Sequence, residues 1–257
     1  LDSLNESQRD AVGAPSGNLL ILAGAGSGKT RVLVHRIAWH IATGEANPQG
    51  ILAVTFTNKA AAEMRSRIES LLGQSIYGMW VGTFHGLCHR LLRAHWQDAN
   101  LPENFQILDS EDQYRTIRRT IRAMMLDESQ YPPKEAQWYI NGQKDKGLRP
   151  EKINDDGDVT TAQMIKIYKI YQQTCENSGA VDFAELLLRT YELFHKNKLI
   201  REIYQKRFKH ILVDEFQDTN ELQYKWLKQL IGNDNTLFAD GDDDQSIYSW
   251  RGARVEN

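Results

Sequence analysis

The chain has 257 residues, 41% of them hydrophobic and 25% charged, with a formal net charge of -3, the balance of a soluble globular protein with one large core or two modest ones. Near-neutral charge excludes a uniformly basic nucleic-acid binder, so any such site must be a local groove with its own basic and aromatic residues. Two distant cysteines, Cys88 and Cys175, argue against a disulfide scaffold or zinc site and suit a reducing cytoplasm. No apolar run approaches the roughly 18 residues of a membrane span, and no signal-peptide pattern opens the chain. The first residue is Leu1 rather than Met, so a short missing N-terminal stretch is expected.

Residues 19–22 read as a buried strand followed at once by glycines, and a helix from Lys29 puts Leu33, Ile37 and Ile41 on one face. Residues 51–56 read as a strand, 58–72 as an Ala-rich charged helix and 79–83 as a third strand. This alternation indicates a parallel sheet with right-handed crossovers. From about residue 85 to 208 the pattern is helical, clearest over 109–125, 133–146, 160–178 and 182–196, with breakers at Pro132-Pro133, Gly147 with Pro150, Gly157 and Gly179. Strand patterning returns at 210–214 and 236–239, flanking a helix near 220–231. The expected organisation is one α/β domain, residues 1–85 and 206–257, interrupted by an all-helical inserted subdomain, residues 86–205.

The segment Ala23-Gly24-Ala25-Gly26-Ser27-Gly28-Lys29-Thr30 lies between the first strand and the first helix and fits the phosphate-loop pattern, with Ala23 at its first glycine position. Small residues let successive backbone N–H groups converge on phosphates, and the helix N-terminus adds a favourable dipole. Lys29 would reach the β- and γ-phosphates of ATP and Thr30 would ligate Mg²⁺. The second acidic element is Ile211-Leu212-Val213-Asp214-Glu215, a hydrophobic strand ending in two carboxylates. Asp214 would hold Mg²⁺, and Glu215 is the candidate base for the attacking water. Asn58-Lys59 suggests guanine reading, but Ala61 stands where that pattern needs Asp; Gln8 is a better base reader, since its amide can pair with adenine N6 and N7.

Taken in order, these segments resemble the UvrD/Rep family of superfamily 1 DNA helicases. Leu4-Asn5 with Gln8 resembles that family's adenine-reading motif, and Ala23 to Thr30 followed by Arg31 its motif I. Ala53-Val54-Thr55-Phe56-Thr57-Asn58-Lys59-Ala60-Ala61 is similar to motif Ia, Val81-Gly82-Thr83-Phe84-His85-Gly86-Leu87 to motif Ib, and Val213-Asp214-Glu215-Phe216-Gln217-Asp218 to motif II. Gly241-Asp242-Asp243-Asp244-Gln245-Ser246-Ile247-Tyr248, continuing to Arg251-Gly252-Ala253, resembles motif III.

The resemblance implies a RecA-like P-loop motor domain with a helical insertion, and roles that the residue chemistry supports. Phe56, Tyr248 and Trp250 would stack on single-strand bases, with core packing as the alternative. Thr55, Asn58, Thr83 and His85 would contact the DNA backbone; a structural hydrogen bond is the alternative for His85. Gln245 would sense the γ-phosphate, Arg251 would link to the motif II carboxylates, and Arg31 would lie beside the adenine. In the insertion, Trp138-Tyr139-Ile140-Asn141 with Lys144 and Lys146 suggests a strand contact or a packed helix face, and Arg115, Arg118, Arg119 and Arg122 a solvated face.

Two residues depart from the family pattern: Asp240 stands at an apolar strand position, where a buried carboxylate needs a partner, and Ser249 replaces a smaller residue. The sequence ends at Asn257, just past motif III, so the family's second motor domain, with its arginine fingers, is expected to lie outside it. The resulting expectation is the N-terminal motor portion of an ATP-dependent 3′-to-5′ helicase acting on single-stranded DNA and single-strand/duplex junctions, deficient in unwinding by itself. A non-catalytic nucleotide-binding or interaction module and the motor part of a helicase-nuclease remain the alternatives.

Overall fold

Polar caps and glycine stops divide residues 1–242, the part that the computed structural model describes, into ten α-helices and seven strands. The chain begins α1 (Glu6–Gly13), β1 (Leu19–Leu22), α2 (Lys29–Ala42), β2 (Ile51–Thr55), α3 (Asn58–Leu72), β3 (Trp80–Thr83), α4 (Phe84–Ala94). It continues β4 (Gln106–Leu108), α5 (Ser110–Ala123), α6 (Pro133–Asp145), α7 (Val159–Ser178), β5 (Ala180–Asp182), α8 (Phe183–Lys196) and α9 (Lys198–Arg207), then β6 (His210–Val213), α10 (Glu221–Leu230) and β7 (Thr236–Gly241). The starts have visible causes. Thr57 accepts from the Ala60 N–H at 3.0 Å to open α3, and Asp109, Asp158 and Asp182 cap α5, α7 and α8. Gly73 and Gly179 close α3 and α7 at φ 65°, a left-handed stop that favours glycine.

Two compact units result. The first comprises Leu1–Leu87, Leu199–Thr219 and the described residues from Lys228 onward. Its sheet has five parallel strands in the order β1-β7-β6-β2-β3. Val32, Leu33 and Ile37 of α2 and Met64 and Ile68 of α3 share one core with Ala53, Leu212 and Phe238 of the sheet. All five residues of β2 are buried, whereas Leu20 and Leu22 of β1 are 48% and 44% exposed. The expectation of a buried first strand is corrected here: among the described residues β1 lies at the sheet edge, with β7 as its one neighbour and one face uncovered. Parallel pairing brings the carboxyl ends of all five strands to one edge, where open α/β sheets bind ligands.

The second unit comprises Cys88–Lys198 and Asn220–Leu227. Ile117 and Ile121 of α5, Ile140 of α6 and Ile167, Tyr168 and Tyr171 of α7 form its core. It is not all-helical as expected, because β4 and β5 pair in parallel with Ile107 opposite Val181. Three residues per strand are too few to display a period of two. A buried ionic cluster ties its helices together. Lys144, fully buried, donates to Asp182 Oδ2 at 2.8 Å and lies 2.9 Å from Glu185 Oε2. Arg149 grips both oxygens of Glu185 at 2.7 and 2.8 Å, and Arg189 Nε reaches Glu185 Oε1 at 3.0 Å. Lys144 therefore cannot offer the strand contact considered from sequence, whereas Trp138 on the same helix is 65% exposed. Arg115 pairs with Glu111 at exposed positions, and Arg118 and Arg122 pair with the half-buried Glu128, as a largely solvated face requires.

Candidate nucleotide site

The loop between β1 and α2 turns through Gly26 (φ 77°) and Gly28 (φ 86°), two left-handed positions that glycine alone adopts without strain. A Cβ on Gly28 would also come within 2.8 Å of Gln8 Nε2. Ala23 N–H donates to Gly241 carbonyl at 3.2 Å, fixing the start of the loop to the end of β7. Lys29, 9% exposed, folds its ammonium back to donate to the carbonyls of Ala23 (2.5 Å) and Gly24 (3.4 Å). A cation that donates its hydrogen bonds to neutral carbonyls in a half-dry cleft, with the Asp214 carboxyl nearby, gains strongly from an anionic oxygen. The cleft has a volume of about 780 Å³ and is lined by Gly26, Lys29, Thr30, Phe56, Asp214 and Glu215, among others.

Thr30 Oγ1 donates to Asp214 Oδ1 at 3.2 Å, joining the loop to the carboxyl end of β6 across 184 residues of sequence. Asp214 is buried, and burial pushes its carboxyl above the usual range, with the nearby Glu215 adding to the effect. Glu215 has a left-handed backbone, φ 57°, an uncommon conformation for a residue with a long side chain. It is locked from two sides: its N–H donates to Asp240 Oδ1 at 2.7 Å, and Gln217 Nε2 donates to its Oε2. Gln217 Oε1 in turn accepts from the Asp242 N–H at 3.1 Å.

The donor set fits magnesium. A hydroxyl and a carboxylate already touch beside the loop, and among the described residues no three His, Cys, Asp or Glu side chains converge to form a complete metal cage. Magnesium takes one or two carboxylates and completes its shell from water and phosphate.

Asp240 resolves the anomaly seen in the sequence. Its residue is 1% exposed, within β7 opposite Ile21 of β1. Oδ1 serves the Glu215 N–H, Oδ2 is fully buried, and the carboxyl lies against that of Asp214. Burial first, and then the Asp214 charge, push Asp240 up to about 8. Two adjacent carboxyls in a dry site cannot both ionise cheaply, so near neutrality Asp240 keeps its proton.

Gln8 opens α1 through a reciprocal capping box with Asn5 (2.9 and 3.1 Å) and donates from Nε2 to the Ser27 carbonyl at 3.0 Å. Arg31 is exposed on the cleft wall. Of the residues expected to face DNA, Asn58 is exposed at the start of α3, and Phe56 is half-buried with its ring 5.4 Å from that of Phe84. Thr83 Oγ1 accepts from the Gly86 N–H at 3.1 Å, and burial lowers the pKa of the half-buried His85. Thr55 is a correction: it is fully buried and donates to the Thr57 carbonyl at 3.2 Å, so it shapes the loop instead of presenting a contact. Gln245, Tyr248, Trp250 and Arg251 lie outside the described residues. Sequence reading missed Glu63 and Arg67, which line the cleft from α3; their i,i+4 spacing was the available signal, and they lie 3.8 Å apart.

A glycine loop opening a helix beside the acidic end of a parallel strand defines a RecA-like P-loop domain. Within that class the family is narrower: residues 4–257 match the family described as UvrD/REP helicase N-terminal domain, and the chain belongs to it. It is 62% identical over 257 residues to DNA helicase II of Escherichia coli (strain K12), covering all of this chain and 36% of that protein. It is 60% identical over 261 residues to DNA helicase II of Haemophilus influenzae, again 36% of the relative. With the ATP-dependent DNA helicase PcrA of Bacillus subtilis it shares 41% identity over 258 residues, 35% of that relative. The chain thus spans about a third of the length of these curated relatives. Among the described residues no helix is long and apolar enough to cross a membrane.

Proposed function

We propose that this chain is the N-terminal motor portion of an ATP-dependent 3′-to-5′ DNA helicase, binding Mg-ATP in the cleft at the start of α2. The observation that carries this reading is the 3.2 Å contact of Thr30 with Asp214, which brings the phosphate loop and the acidic strand end into one site. Ala23, Gly24, Ala25, Gly26, Ser27 and Gly28 cradle the phosphates through backbone donors, and Lys29 exchanges its loop carbonyls for phosphate oxygens. Thr30 and Asp214 hold Mg²⁺, which when bound neutralises charge on the phosphates. Glu215, held by Gln217, takes the proton of the attacking water. Gln8 and Arg31 address the adenine.

Single-stranded DNA runs over the carboxyl ends of β2 and β3, past Phe56, Asn58, Thr83 and His85, with Tyr248 and Trp250 as further stacking surfaces. Gln245 and Arg251 couple the two sites. Polarity, action at single-strand/duplex junctions and the need for a second RecA-like domain rest on the family resemblance. Unwinding is assigned to the longer protein; the 257-residue chain alone turns ATP over slowly, since arginine fingers contribute about 10³ to 10⁵ in rate. The Asp240–Asp214 pair favours a second reading, a module that binds nucleotide without turnover.

The test is binding and turnover of Mg-ATP by this chain and by Lys29→Ala, with and without oligothymidine. Lys29-dependent binding with slow, DNA-stimulated turnover is expected. Binding that ignores Lys29 overturns the site, and binding with no turnover even in the full-length protein selects the second reading.

A further inference from the structure

Arg36 lies two turns beyond Lys29 on α2, outside every motif singled out in the sequence, yet it is 3% exposed. A buried guanidinium must find acceptors for its donors, and here they are all backbone. Its Nη1 donates to the carbonyls of Ala11 (2.9 Å), Val12 (3.1 Å) and Ala14 (3.0 Å), and Nη2 to that of Pro15 (3.4 Å). The ring of Phe238 lies 4.9 Å from its centre.

Ala11 and Val12 lie in the last turn of α1, Ala14 is its C-cap and Pro15 follows it, the place where helices leave acceptors unpaired and favour a cation. The last turn of α1 contains no basic residue, so α2 supplies the charge. An eight-residue helix has little stability alone. Its other end carries Gln8, whose amide reaches the Ser27 carbonyl of the loop at 3.0 Å. The helix that starts with Lys29 therefore also grips, through Arg36, the element that presents Gln8.

We propose that Arg36 is a positioning residue for base recognition: by capping the C-terminal end of α1 it sets the place of Gln8 beside the nucleotide without touching the nucleotide itself. The inference rests on the nucleotide reading above. Its signature is selective. Losing Arg36 weakens the base-dependent part of affinity and largely spares the part due to the phosphates, which the loop's own backbone donors and Lys29 hold.

The experiment measures binding of ATP, CTP and inorganic tripolyphosphate, each with Mg²⁺, to the unmodified chain and to Gln8→Ala, Arg36→Met, Arg36→Lys and Gln8→Ala/Arg36→Lys, with folding checked by circular dichroism. Arg36→Met is expected to lower the ATP-over-CTP preference roughly tenfold, the scale of one bidentate base contact, matching Gln8→Ala. Tripolyphosphate affinity changes by less than about twofold, well under one lost charge-assisted contact. Arg36→Lys, which keeps a donor cation and guards against failed folding of the Met variant, loses part of the preference. It adds nothing in the Gln8→Ala background, as a residue acting through Gln8 must. An unchanged ATP-over-CTP ratio in both Arg36 variants, equal loss of all three ligands, or additive effects of the two substitutions overturns the role of Arg36 alone. Failure of the unmodified chain to bind any of the three overturns the nucleotide reading and this inference with it.

Discussion

Among the described residues, buried carboxyls gather in one cluster in each unit, and the two clusters are built on opposite terms. In the second unit, Lys144, Arg149 and Arg189 face Asp182, Glu185, Glu192 and the more exposed Glu176, so each buried acid has a cation against it. Burial works against ionising Glu185, but Lys144, Arg149 and Arg189 outweigh it and hold the carboxyl far below the usual range. Asp182 also accepts from the Tyr171 hydroxyl at 2.6 Å and from the Glu185 N–H at 2.8 Å, capping α8. In the first unit, Asp214 and Asp240 confront each other with the Thr30 hydroxyl, the Glu215 N–H and the raised pKa of Asp240 as their relief. Matched charge is a brace, whereas like charge at a strand end favours the protonated carboxyl.

The comparison breaks most visibly at Lys144. Lys144→Met keeps the side-chain volume and leaves Asp182 and Glu185 buried beside fewer cations, at an expected cost of roughly 3–5 kcal/mol. Urea denaturation of the two proteins measures it, and a loss within error would show that the cluster is no brace.

Asp240 runs the other way. A carboxyl raised to about 8 binds its proton more tightly in the folded state than at the unfolded value of about 3.9. Its contribution is therefore fully present below the unfolded value and is lost as pH rises through the folded one. Asp240→Val is expected to stabilise by roughly 1–4 kcal/mol at pH 8.5, with the gain shrinking steadily towards pH 4. Thermal midpoints of both proteins across that range decide it; a gain independent of pH would assign the effect to packing. The smallest effect is the control: Arg115→Ala removes an exposed pair with Glu111 and leaves the urea midpoint unchanged within error.

Much of the first unit could be read in advance, since its signals are local and strong. The helix over residues 58–72 is bounded by Thr57 and Gly73, a side-chain cap and a left-handed stop, and the phosphate loop carries its own strand and helix. Where residues act through distant neighbours, the sequence was mute. Thr55 looks like any polar loop residue until the fold buries it, and β1 looks buried because apolar composition does not reveal which strand lies at an edge. Lys144 sits in a polar run whose balancing acids come from α8. Asp240 was visible as a misfit, but its neighbour Asp214 was supplied by sheet order. Arg36 left one trace, a charge on the apolar face shared by Leu33, Ile37 and His40.

Sheet order also governs when the site can exist. β1, which leads into the loop, and β6, which ends in the carboxylates, are not neighbours; β7 lies between them and pairs with both. During synthesis the loop leaves the ribosome early and Asp214 much later, yet neither has its final support until residues 236–241 have emerged. At about 5–20 residues per second, the growing chain carries a phosphate loop for on the order of ten seconds or more before a pocket can close around it. A nascent chain halted before β7 would leave β1 unpaired, with the core-facing Leu19 and Ile21 short of cover, a target for chaperones rather than for nucleotide.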